Sequence, residues 1–250
     1  MEKIIIKKIT YFLAFSSILI SSNAIAKDYS GFNLSIAVNA TNLDTWIRDN
    51  IGHNQDEDPR DDKTNYDNSL VGLSWSAGYD RKWDSVLPFG RDLYTGLEIG
   101  GTYLTDDMSS NSQGRTDYVI ETHFRGHQVI SGGLELGTNL GQGKISFDSG
   151  VALADILNIS WDYDDGRIDF ANSPHTRDTV PGFYLGLGLE HLFTSNFGFE
   201  MGIRYYNFGT MDLNWADSPG GEEESAADQY YKYENTLTQA QFGLVYYFGK

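Results

Sequence analysis

The chain has 250 residues, 18 basic against 35 acidic, a net charge of −17 and no cysteine. The length fits one domain. The charge excludes a nucleic-acid partner, which needs a basic face. The missing cysteine excludes disulfides, thiol catalysis and cysteine-held metal.

Met1 to Ala26 has the three parts of a secretory signal peptide. Lys3, Lys7 and Lys8 form the positive end, Ile9 to Ile20 the apolar core, and Ala24-Ile25-Ala26 the small-x-small cleavage site. The mature chain is expected to begin at Lys27, with residues 27–250 as one domain. No later stretch approaches the roughly 20 apolar residues of a transmembrane helix.

Alternation of bulky apolar and small or polar residues then recurs along the chain. Strand one is expected over Ser30–Asn39, with Phe32, Leu34, Ile36 and Val38 on one face. A polar segment, 40–68, follows and carries the acidic run Asp56–Asp62. Strand two spans about Leu70–Tyr79, and strand three Leu93–Tyr103. Residues 105–117 form a polar loop. Strand four covers Glu121–Leu140 and, after the tight turn Gly141-Gln142-Gly143-Lys144, strand five covers Ile145–Ala154. Residues 155–180 form an acidic loop.

The pattern is sharpest in the hairpin Gly182 to Gly209. Phe183, Leu185, Leu187 and Leu189 alternate with Tyr184, Gly186, Gly188 and Glu190. After Thr194-Ser195-Asn196, Phe197, Phe199, Met201, Ile203 and Tyr205 alternate with Gly198, Glu200, Gly202, Arg204 and Tyr206. A period of two on both sides of a short turn is a β-hairpin. A last loop, 210–235, leads to strand eight, Thr236–Phe248.

The two faces are inverted relative to a soluble sheet. The bulky face is continuous and apolar, while the other is glycine, hydroxyl and charge. A lipid-facing surface must be of the first kind and a narrow interior of the second. Only helices and closed barrels satisfy every backbone group in lipid. The expected fold is therefore all-β: an eight-stranded antiparallel up-and-down transmembrane β-barrel. Long extracellular loops and short periplasmic turns are expected to alternate. The connection 80–92, with Trp83, Pro88 and Gly90, is too long for such a turn and has no explanation in the sequence.

The interior is expected to hold Glu98, Glu135, Asp148, Glu190, Glu200 and Arg204, with Arg125 and His127 sharing the inward parity. Buried charges must be paired, so Arg204 should meet at least one of these carboxylates. The alternatives are a structural polar plug and a gated ion or proton path. The small bore of eight strands favours the plug.

Gly186-Leu-Gly-Leu-Glu-His-Leu-Phe-Thr-Ser-Asn-Phe197 and Arg204-Tyr-Tyr-Asn-Phe-Gly209 resemble a hairpin of the small outer-membrane β-barrel proteins of the opacity/porin-like group. Leu93–Gly100 is similar to that family's third strand. Phe242–Phe248 resembles its C-terminal strand, followed here by Gly249 and Lys250. The resemblance implies a Gram-negative outer-membrane location after export. It also implies recognition of the last strand by the barrel-assembly machinery, and contact with outer-membrane lipid and lipopolysaccharide. Family members include structural barrels, adhesins and surface antigens.

No cofactor, metal or catalysis is expected. The acids at 56–62 lack calcium-loop spacing, and the five histidines show no H-E-x-x-H, nor is there a G-x-S-x-G elbow. A rim enzyme assembled from separate strands would escape such motifs. Trp46, Trp161 and Trp215 are expected in the long loops. They are either contacts for a host or surface ligand, as in an adhesin, or part of the aromatic girdle.

Overall fold

Residues whose side chains alternate between bulk and glycine pair in register with their chain neighbours and close into a ring. A computed structural model of the chain describes residues 27–49, 68–104, 109–113, 118–162, 175–214 and 230–248. It holds β1 (Gly31–Asp49), β2 (Asn68–Leu87), β3 (Arg91–Leu104), β4 (Ser109–Gln113), β5 (Tyr118–Leu140), β6 (Gly143–Asp162), β7 (His175–Leu192), β8 (Phe197–Asn214) and β9 (Tyr230–Tyr247). The ring order is β3-β2-β1-β9-β8-β7-β6-β5, closed by pairing of β3 with β5. Every ring pairing is antiparallel. Followed once round the ring, the register advances by about ten residues, which tilts the strands roughly 40° from the axis.

β1 and β9 join the two ends of the chain, from Asn33↔Tyr247 to Asp49↔Tyr231. At the turn end, Gly141 (φ 65) reverses the chain between β5 and β6, a left-handed conformation that costs glycine little. Gly31 (φ 115) swings residues 27–30 off the end of β1.

The strands are longer than the alternation implies. β5 has 23 residues, β2 and β6 have 20 each. A tilted strand needs only about 9–11 residues to cross hydrocarbon. Apart from β2, which runs on past Asp80 at the turn end, the excess lies at the loop end, so parts of the segments expected as loops are paired strand: 40–49, 155–162, 175–180, 210–214 and 230–235. The expected loop 105–117 contains β4, which pairs with β5 (Ser109↔His123) beyond the last β3 partner, Tyr103↔Gln128. Hydrophobic alternation marks a strand only where one face meets lipid and the other a polar interior. Above that level both faces change, and the pattern fades.

The unexplained connection 80–92 is a continuation of the β2–β3 hairpin. The pairing runs to Trp83↔Leu93, shifts, and resumes at Leu87↔Arg91, with a one-turn 3-10 helix at Pro88–Gly90 closing it.

Large apolar side chains stand exposed on every ring strand, among them Ile36, Leu73, Leu97, Leu134, Val151, Leu187, Ile203 and Phe242. A soluble monomer rarely shows more than a few hundred Å² of contiguous apolar surface. A continuous belt of this kind suits hydrocarbon. Leu189 and Phe199, on the same face, are nevertheless buried, because His191, Phe193, Phe199 and Phe242 pack ring against ring over that part of the sheet.

Leu187 and Ile203 face each other across β7 and β8 within the belt. Leu187→Arg should lower the unfolding free energy in lipid vesicles by about 2–4 kcal/mol. Ser195→Arg, in the exposed turn, should change it by less than about 0.5 kcal/mol. Urea titrations of the two variants check both.

Candidate functional site

The inward face of the ring carries charge in two tiers. The tier nearer the turns is built around Lys144, the second residue of β6. Its side chain is fully buried, with Nζ 2.6 Å from Glu135 on β5, 2.6 Å from Glu190 on β7 and 3.2 Å from Asp80 on β2. Tyr247 on β9 completes the cage. Its hydroxyl donates to Glu190 Oε2 at 2.6 Å, and Lys144 Nζ donates to the hydroxyl oxygen at 3.4 Å. Five strands thus converge on one ammonium group.

The second tier lies further from the turns. Arg204 on β8 donates from Nε to Asp148 Oδ2 at 2.8 Å and from its terminal nitrogen to Glu98 on β3. Its guanidinium lies 5.4 Å from the centre of the Tyr184 ring, a favourable placement for a cation over a π face. Gly186 stands against Asp148, and Gly96 against Asp80. At either position a Cβ would collide with the carboxylate. The inward glycines therefore make room for charge.

The acids outnumber their partners. Asp80, Glu98, Glu135, Asp148, Glu190 and Glu200 face two cations. The register sets Glu135 opposite Asp148 and Glu190 opposite Glu200. Among the described residues Glu200 is in ion-pair contact with neither cation. A cavity of about 30 Å³ remains between the two tiers, room for one or two water molecules.

Both ends of this stack are covered. On the turn side, residues 27–30 fold across the barrel mouth. Tyr29 is fully buried, meets Tyr94 and Tyr247 edge-on, and donates to the Gln142 carbonyl. Lys27 Nζ donates to the Leu192 carbonyl, while the Lys27 carbonyl accepts from Tyr94 at 3.4 Å. On the loop side the interior turns apolar, with Leu43, Leu104, Ile156, Phe208 and Leu237 buried together.

The structure brings Glu98, Asp148 and Arg204 into one contact network, and Glu135 and Glu190 into the other. Glu200 lines the cavity between them. Sequence reasoning missed Lys144, read as a turn residue, together with Asp80 and Tyr247. Parity was the available signal. Lys144 is in phase with Ser146 and Asp148, and Asp80 with Ser76 and Gly78, once each strand is extended by a residue or two.

Trp46 and Trp161 are corrected from loop to strand. Trp46 pairs with Glu234 in β1–β9, and Trp161 with Val119 in β5–β6. They fall on the long extensions that the fading alternation hid. Trp215 lies outside the described residues, as do the acidic run at 56–62 and residues 1–26, the expected signal peptide. Arg125 and His127 lie on β5, their side chains outside the description. Among the described residues no group of His, Asp or Glu is arranged to hold a metal.

Removing one member of a buried ion network leaves the others uncompensated. Lys144→Met should cost about 3–5 kcal/mol of unfolding free energy. Glu200→Gln replaces a carboxyl group that neither cation contacts, opposite Glu190, and should change stability by less than about 0.5 kcal/mol. A large loss for the first variant and none for the second in the same urea titration is the expected result.

No protein-family model and no curated protein matches this sequence. Among solved structures, the outer membrane protein OprG from Pseudomonas aeruginosa aligns with a TM-score of 0.51 at 12% identity, over 90% of this chain and 99% of that one. A major outer membrane protein from Thermus thermophilus aligns at 0.43 and 12% identity, over 87% and 99%. Neisserial surface protein A aligns at 0.40 and 11% identity, over 88% and 98%. At 12% identity the likeness to OprG is one of fold, and it agrees with the ring, the up-and-down order and the apolar belt: the chain has the fold of the small eight-stranded outer-membrane β-barrels.

Proposed function

We propose that the protein is an integral outer-membrane barrel with a structural, surface-exposed role and an interior closed to flow. The observation that carries this reading is the Lys144 cage. A cation held by three carboxylates and a tyrosine from four other strands cross-braces the ring and occupies its bore. Tyr29 below and the Leu43–Phe208 cluster above close the same axis.

Export by the 1–26 leader is part of this proposal. Lys27, the expected first residue after cleavage, is docked at the turn end, which a free N-terminus can reach. Short turns at that end would then lie in the periplasm, and the extended loop end would stand outside the cell. The strand extensions would stand clear of the lipid, in contact with lipopolysaccharide and within reach of a surface ligand. β9, whose Phe242, Leu244 and Tyr246 are exposed on the lipid face, is the strand that the assembly machinery would recognise. The role needs no catalysis.

Planar-bilayer recording tests the closed interior. The protein should insert without stable openings, and large stable conductances would overturn the reading. Trimming the segments 50–67, 163–174 and 215–229 should leave a folded, heat-modifiable barrel. Loss of cell attachment in that variant would show that the surface role is adhesion, and unchanged attachment that it is structural.

A further inference from the structure

The β2–β3 hairpin differs from the other two connections at the turn end. β1 pairs with β2 only as far as Gly31↔Asp80. From Arg81 to Leu87, β2 runs on with no β1 partner, so the hairpin stands out from the ring. Its outer face continues the lipid belt. Tyr79 is exposed on β2, and Arg81 and Trp83 follow at the same parity. The Arg81 guanidinium lies 4.2 Å from the Trp83 ring centre, and Trp83 Nε1 donates to Thr95 at 2.9 Å. The indole is therefore held flat on the outer face, with a cation stacked on it.

At the tip the exposure is apolar. Phe89 is 98% exposed and Val86 60%. Ser85 (φ 54) and Phe89 (φ 65) both occupy the left-handed region, which a bulky residue rarely adopts. The base of the tip is nonetheless well tied. Lys82 bridges Asp84 at 2.8 Å and Asp92 at 3.1 Å, and the Ser85 amide donates to Asp92 at 3.0 Å. A fixed loop thus presents an aromatic ring outward, flanked by the exposed Arg81 and Arg91.

The free edge of this hairpin is a poor template for a protein strand. It carries a register shift, an ion pair and Pro88, the features that blunt a sheet edge. What remains is side-chain chemistry: tryptophan, phenylalanine and arginine, next to a hydrocarbon-facing belt. These residues favour the water–lipid interface, where the ring sits among headgroups and the cation meets phosphate.

The geometry points to the 81–91 hairpin as an interfacial anchor that rests on the phospholipid surface at the turn end of the barrel, with Phe89 and Trp83 among the headgroups and Arg81 and Arg91 on lipid phosphate. This inference rests on the outer-membrane reading only for there being a bilayer round the belt.

The cysteine-free chain permits a direct test. Phe89→Cys and Ser195→Cys, the latter in the exposed β7–β8 turn, are each spin-labelled and reconstituted in vesicles of phosphatidylethanolamine and phosphatidylglycerol. Proper folding of both is checked first by heat-modifiable gel mobility, which also reports separately on the barrel itself. The label at 89 should collide several-fold more with oxygen relative to a water-soluble nickel chelate than the label at 195. The Arg81→Gln/Arg91→Gln pair should reduce that preference in phosphatidylglycerol-containing vesicles. Equal nickel access at both positions would overturn the anchor. So would photocrosslinking from position 89 in intact cells that yields a protein adduct and no lipid adduct, because the hairpin would then serve a periplasmic partner.

Discussion

A sheet surrounded by hydrocarbon cannot leave an edge. Each unpaired backbone amide or carbonyl there costs several kcal/mol, so the first strand must find the last. Here that bond is the β1–β9 ladder, which joins residues some two hundred positions apart in sequence. Closure fixes the rest. Once the ring is sealed, alternate residues point at lipid or at the axis, and a polar side chain has one direction in which to go. The inverted faces of the chain follow from this geometry.

Closure also creates a problem that the interior must solve. Eight strands leave a bore that side chains fill, and charge placed there has lost most of its water. The answer is two compact networks, with one cation each, stacked along the axis. Lys144 touches residues at positions 80, 135, 190 and 247, and Arg204 touches 98 and 148. Contacts so distant in sequence can form only when the strands are already in register. The networks therefore reward the correct register, because a slip of one residue turns the charges of the slipped strand toward lipid.

How much of this was legible follows from where the physics is local. The belt strands were readable because lipid on one side and a crowded axis on the other impose a period of two, clearest at Phe183–Glu190 and Phe197–Tyr206. Arg204 and its acids were readable for the same reason. The extensions at 40–49, 155–162 and 175–180 were not, since beyond the lipid both faces lose their contrast. Lys144 was hidden by its place beside Gly141 and Gly143, where a lysine looks like part of a solvated turn. Its burial depends on Asp80, Glu135 and Glu190 arriving from other strands, which only the assembled register reveals. The 80–92 connection was opaque because its length comes from continued pairing across a bulge, and a bulge breaks the alternation that would announce a strand.

The interior is built of layers with opposite chemistry, and this bears on the proposed closed state. An ion entering from the loop side would meet the apolar cluster around Leu43, Ile156 and Phe208, where it would lose part of its hydration. An apolar solute that passed this layer would meet Arg204 and its carboxylates, which it could not satisfy. From the turn side both would meet Tyr29, held by Tyr94 and Tyr247. Gly96 and Gly186 keep the carboxylates of Asp80 and Asp148 close to the wall, and that leaves the axis free for the long side chains of Lys144 and Arg204 to occupy. The abundant inward glycine is thus better understood as space for these charges than as the lining of an open pore.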